Sequence, residues 1–123
     1  MLKKKALAIS IIYTLVLIYA SLVKLNNVPD IGVSFGDKIF HFLAYSLLAF
    51  LWFCTFRYNF SYKEKKAITY AAVISIIFGI IIEVLQDTLT VYRSMDIYDV
   101  FANSSGVLLT VLVLVLKKNI GVK

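Results

Sequence analysis

His41, Glu83 and Asp99 are one imidazole and two carboxylates in a chain of 123 residues that has a single histidine and seven acids. Side chains of these types can move protons, hold a cation or orient a hydroxyl or phosphate group. Each sits in a short polar run. His41 lies in "DKIFHFLAY", where Asp37, His41 and Tyr45 are spaced by four and Lys38 adjoins them. Glu83 lies in "EVLQD", three residues before Gln86. Asp99 lies in "MDIYDVFANSSG", where Asp96, Asp99, Asn103 and Gly106 are spaced three, four and three. On helices, these spacings gather each set on one stripe.

Three chemistries are open to such residues. An imidazole and two carboxylates can hold a divalent ion, and an ion with an open position activates water. The spacing here is no recognised metal signature and there is no second histidine, so neither metal nor cofactor is expected. Acid–base work by Glu83, Asp99 and His41 needs no ion, because desolvation raises a carboxylate's pKa. Simple pairing of the polar residues to staple helices is the third. The chain shows no nucleophile motif, glycine-rich phosphate loop or His-Cys pair. Cys54 is the lone cysteine, which makes it a packing residue.

The elements that carry these residues are apolar. Hydrophobic residues make up 61% of the chain and charged ones 16%, against about 25% charged in soluble domains. The mean hydropathy is +0.87. Four stretches, 6–23, 39–56, 67–86 and 97–116, are each close to the roughly 20 residues that cross about 30 Å of hydrocarbon. The fold class predicted is all-α: a four-helix transmembrane bundle forming one domain over 1–123, since helices satisfy their own backbone groups in lipid. Lys3, Lys4 and Lys5 before an apolar run also resemble a signal peptide. The run is longer than usual and Ile18 stands where a small residue is preferred, so cleavage after Ala20 is not expected. Trp52, Phe53 and Phe56 are expected to face lipid or its interface. "VLLT" follows Gly106, so close helix packing is less expected there.

Ten of the thirteen Lys and Arg residues fall on one side if both termini are cytoplasmic: Lys3, Lys4, Lys5, Arg57, Lys63, Lys65, Lys66, Lys117, Lys118 and Lys123. The positive-inside rule therefore sets the orientation N-in and C-in. That basic face suits anionic lipid headgroups, and nothing indicates nucleic acid. Asp30, Asp37, Glu83, Asp87, Asp96 and Asp99 then lie at or near the outer face, with Glu64 inside. In "SFGDK", Ser34 and Asp37 resemble a capping box that places His41 about one turn into its helix.

All three polar stripes thus share the outer half of the membrane. An ionisable group in a span costs about 2.5–3.5 kcal/mol on insertion scales, and polar contacts between membrane helices average about 0.6 kcal/mol. Stapling is a small return for so many polar groups. The stripes are better read as an outward-opening pocket. Asp37, Lys38, His41 and Tyr45 form one wall, Glu83 and Gln86 a second, and Arg93, Asp96, Asp99 and Asn103 a third. Its ligand would be a lipid headgroup or another polar group carried on a lipid. Catalysis by Glu83, Asp99 and His41 on a lipid-linked phosphate or sugar is the alternative.

The ordered blocks carry a family resemblance. D-K-x-x-H-F-x-x-Y at Asp37, Lys38, His41, Phe42 and Tyr45 comes first, followed by E-x-x-Q at Glu83 and Gln86. R-S-x-D-x-x-D-x-x-x-N-x-x-G then runs from Arg93 and Ser94 through Asp96, Asp99 and Asn103 to Gly106. Together they resemble the VanZ-like family of small bacterial membrane proteins, named for a teicoplanin-resistance accessory protein. The resemblance implies a multi-pass protein of the bacterial cytoplasmic membrane and, for the namesake, resistance to teicoplanin-type lipoglycopeptides. It adds a lipid-linked wall precursor and an acylated antibiotic to the expected ligands, and implies no established reaction for most members.

Overall fold

The computed structural model describes residues 5–22, 34–89 and 97–119, with side chains described at all of these except 34–38, 86, 87, 89, 118 and 119. Four helices follow in order: α1 (Ala6–Leu22), α2 (Ser34–Cys54), α3 (Glu64–Leu89) and α4 (Ile97–Asn119). A π-helical turn, Thr55–Asn59, continues α2. The chain is an all-α four-helix bundle. Three segments, Ile39–Asn59, Glu64–Leu85 and Ile97–Lys117, are long and apolar enough to cross a membrane. The first helix, expected over 6–23, is apolar but has 17 residues, a length of about 26 Å; Val23 lies outside the described residues. The other helices outrun the apolar stretches that announced them, because a helix continues into the polar interface until its backbone finds other partners.

The bundle is built inside out relative to a water-soluble one. Large apolar side chains such as Ile12, Tyr19, Phe40, Leu43, Val73, Ile77, Tyr98 and Leu112 are exposed along all four helices. Their neighbours in the interior include Ser10, His41, Thr55, Ser75, Glu83, Asp99, Asn103 and Thr110. An apolar exterior of this extent is stable in hydrocarbon and would aggregate in water. In lipid the exterior gains nothing by hiding, so helix association rests on close packing and interhelical hydrogen bonds.

Helix α1 runs antiparallel to α2 and is tied to it by hydroxyls. Ser10 Oγ donates to the Leu51 carbonyl (2.9 Å) and lies 2.7 Å from Thr55 Oγ1. Tyr13 Oη donates to Ala44 O (2.6 Å), and Trp52 Nε1 donates to Thr14 Oγ1 (3.0 Å). Asn59 Oδ1 accepts the Leu7 backbone N–H at 2.6 Å, so a side chain 52 residues away satisfies one of the donors that every helix start leaves over. Thr55 Oγ1 also approaches Leu51 O at 3.2 Å. With Ser10 donating to that carbonyl, the Thr55 proton goes to Ser10; a hydroxyl from outside competes with the α ladder there, and the wider turn that follows is closed by Phe60 N–H to Thr55 O (3.1 Å).

The expectation for two of the aromatic residues is corrected. Phe53 and Phe56 are buried with Ala67, Ile68 and Ala71 of α3, while half-buried Trp52 donates its N–H to Thr14. Ala67 and Ala71, one helical turn apart, leave the hollow that the two rings fill. A sharp connection follows, in which Ser61 takes a left-handed φ of 60°, and α3 turns back.

Close packing at Gly106 also corrects the sequence reading. A Cβ at Gly106 would overlap the Phe42 carbonyl oxygen and lie 3.1 Å from Ser46 N, so α2 and α4 meet backbone to backbone. The small residue one turn on is Thr110, the last letter of "VLLT". Its Oγ1 donates to Ser46 O (2.6 Å), which leaves Ser46 Oγ to donate to Thr110 Oγ1 (2.8 Å). Gly-x-x-x-Thr is a small-residue seam of the kind that lets membrane helices approach.

Candidate functional site

The α2–α4 seam runs toward the end of the bundle where α2 and α4 begin and α3 finishes. His41 stands seven residues after Ser34, about two turns into α2 rather than one. Glu83 lies six residues before the end of α3, and Asp99 is in the first turn of α4. One ligand-type atom from each of the three lies within 4.8 Å of the other two. His41 Nε2 is 3.7 Å from Asp99 Oδ2, beyond hydrogen-bond range but close for charges. Glu83 is 0% exposed, His41 6% and Asp99 7%. Each of the three also has a contact partner in the structure.

One turn deeper comes a second layer. Tyr45 follows His41 by four, Gly79 precedes Glu83 by four, and Asn103 follows Asp99 by four. They converge: a Cβ on Gly79 would stand 3.1 Å from Tyr45 Cε2 and 3.2 Å from Asn103 Nδ2. A side chain here would press on two large polar side chains that already fill the space beside α3. Tyr45 is 1% exposed and Asn103 2%. Among the described residues, Tyr45 Oη and both amide atoms of Asn103 meet no hydrogen-bond partner, although buried polar groups are almost always paired. Ser75 Oγ, a further turn along α3, is in the same position.

The structure therefore gathers five of the expected residues: His41, Tyr45, Glu83, Asp99 and Asn103. Asp37, Lys38 and Gln86 lie on the helices at this end, but their side chains are not among those described. Arg93 and Asp96 lie outside the described residues. The sequence reading missed Gly79 and Ser75, whose signal was present as the four-residue steps back from Glu83 along α3. It also missed the hydroxyl ties of Ser10, Thr14, Ser46, Thr55 and Thr110, because each residue alone is unremarkable in an apolar span.

The electrostatics of the first layer are severe. Two full negative charges within 4.8 Å repel by about 3.5 kcal/mol even at an effective dielectric of about 20. The arrangement is stable only with compensating positive charge, from a proton, a basic side chain or a cation. Those same requirements make it competent to bind or to transfer a proton. Three grooves seen on the bundle surface are apolar: one along Leu43, Ser46, Leu47 and Phe50 against α4, one along Phe56 to Ile77, and one between Tyr13 and Leu47. None of the three reaches the His41 layer.

Helices with a lipid-compatible exterior, a Gly-x-x-x-Thr seam and a buried His-Glu-Asp layer define a small helical membrane protein with a polar centre. The VanZ/LLP1 family model matches residues 3–118, and the chain belongs to that family. It is similar to an uncharacterized protein of Schizosaccharomyces pombe, with 30% identity over 116 residues, 94% of this chain and 65% of that protein. The chain thus spans about 65% of the length of this curated relative. No solved structure matches.

Proposed function

We propose that this protein binds the polar part of a membrane lipid, or of a lipid-linked envelope compound, at the His41–Glu83–Asp99 layer. The observation that carries the reading is the second layer, where buried Tyr45 and Asn103 hold polar atoms without partners among the described residues. A centre used only for stapling would pair them, since unmet buried groups cost about 1–3 kcal/mol each. In the N-in, C-in orientation favoured by the basic residues, the centre lies in the outer half of a cytoplasmic membrane. Family membership extends the proposal to a contribution to teicoplanin-type resistance. The relative in a yeast supports a ligand common to many membranes over one confined to the bacterial wall.

Catalysis is the second reading, favoured by a carboxylate that is wholly buried within 4.8 Å of an imidazole nitrogen. In it, Glu83 or Asp99 acts as acid or base toward a lipid-linked phosphate or sugar, with His41 as partner. One experiment addresses both. Lipids co-purifying with wild-type and Glu83→Gln protein are identified by mass spectrometry, alongside the lipids of matched strains with and without the gene. One lipid class enriched on wild type and lost with Glu83→Gln supports binding. A modified lipid that appears or vanishes with Glu83 supports catalysis. No enrichment and an unchanged lipid pool would remove both. Teicoplanin susceptibility at equal expression, with vancomycin as the control lacking an acyl chain, tests the resistance role.

A further inference from the structure

We infer that His41, Glu83 and Asp99 form the binding site of one divalent transition-metal ion of the zinc or manganese type, with Asn103 as the neighbouring neutral donor on α4. The inference concerns the centre to which the lipid reading assigns a headgroup, and it rests on that reading only for what the ion would meet.

Sequence spacing argued against an ion, because it matches no recognised metal signature and offers no second histidine. The fold supplies what spacing lacked. Three helices each deliver one donor, and the three ligand atoms lie within 4.8 Å of one another. Two ligands on a tetrahedral ion with bonds of about 2.1 Å stand about 3.4 Å apart. The His41 Nε2 to Asp99 Oδ2 distance of 3.7 Å needs only a small closure. Two carboxylates with a neutral imidazole sum to a charge of −2, which a divalent ion cancels inside a bundle that excludes water. One nitrogen with oxygen donors suits ions that accept both, zinc and manganese, over calcium or magnesium, which take oxygen.

The second layer is an independent sign. Asn103 is nine-tenths buried and more, one turn from Asp99, and both its amide atoms lack a partner among the described residues. It packs against the bare backbone of Gly79, with Tyr45 beside the same glycine. It stands one turn from the Asp99 ligand on the same helix, where a supporting partner of a ligand carboxylate would be carried. With three protein ligands and an open position, the ion would polarise a phosphate or activate water, which suits either reading of the site.

The test uses full-length protein carrying an affinity tag without histidine, purified in mild detergent and stripped with EDTA. It is dialysed against Zn²⁺, Mn²⁺ or Mg²⁺, and bound ion is measured by plasma mass spectrometry. One zinc or manganese per chain is expected, with magnesium far below. Co²⁺ loading should give a visible spectrum that His41→Ala abolishes. Glu83→Gln and Asp99→Asn should each weaken uptake by at least about 100-fold, the upper range for loss of a supporting partner. Should a variant fail to fold, wild type still decides: zinc or manganese must raise its thermal midpoint while magnesium does not. Folded wild type without stoichiometric uptake, or variants that bind as tightly, would overturn the inference. Ion uptake without lipid enrichment keeps the metal site and removes the lipid reading. Stripped protein that holds its lipid and takes up no ion does the reverse.

Discussion

Gly106→Ala should open the α2–α4 seam and unmake the centre above it. The added methyl would overlap the Phe42 carbonyl, which is backbone and cannot swing aside. The helices must part, and the first losses are the Thr110–Ser46 bonds of 2.6 and 2.8 Å. Two interhelical hydrogen bonds at about 0.6 kcal/mol each and an overpacking cost of about 1–3 kcal/mol together amount to about 2–4 kcal/mol. Better helix propensity of alanine returns up to about 1 kcal/mol. The same displacement widens the His41–Asp99 approach, because His41 adjoins Phe42 in sequence. Unfolding in mixed dodecyl maltoside and SDS micelles, followed by circular dichroism, reads the stability. Gly79→Ala is the internal control. Its methyl meets side chains at 3.1 and 3.2 Å, which can yield by a few tenths of an ångström, so its loss should be under about 1.5 kcal/mol. A Gly106→Ala protein as stable as wild type, or less affected than Gly79→Ala, would refute the backbone-to-backbone contact.

Glu83→Gln should insert and accumulate normally, since it removes a charge that is costly in a span. It should lower ligand retention about tenfold or more, the weight of a hydrogen bond to a charged group at about 1.5–3 kcal/mol. Asn103→Ala should act in the same co-purification assay with a smaller effect, because it carries no charge. In a Cys54→Ser background, cysteines at Asn27 and Thr90 should react with an impermeant thiol reagent from outside, and one at Lys63 only after permeabilisation; the opposite pattern would invert the topology. Asn59→Ala frees the Leu7 N–H and should destabilise the α1 end by about 1 kcal/mol, measured in the same micellar unfolding. An unchanged transition there would mean that the cap contributes nothing.

The helical class was legible because apolar run length is a coarse, additive signal. The pairing of His41, Glu83 and Asp99 was legible for another reason: ionisable residues are so costly in a span that they must seek one another. Hydroxyls escaped notice on both counts. Ser10, Thr55 and Thr110 cost little in lipid, so their presence says nothing until the facing helix is known. The seam at Gly106 was in plain view as Gly-x-x-x-Thr, but threonine was not counted as small. Phe53 and Phe56 were misplaced because an aromatic near a span's end suits the lipid interface and a packed core equally, and only the facing Ala67 and Ala71 of α3 decide between them.

The distribution of the polar centre over three helices has a consequence for how the chain is made. Helices enter a membrane one after another, and each of α2, α3 and α4 arrives carrying a group that lipid rejects. His41 waits for Glu83, and Glu83 is sealed only when Asp99 and Asn103 follow some twenty residues later in sequence. A chain ending before α4 lacks the helix that covers Glu83, whereas in the complete bundle Glu83 is buried. Full burial of Glu83 is thus a mark of the completed bundle, reached only when the last helix has docked.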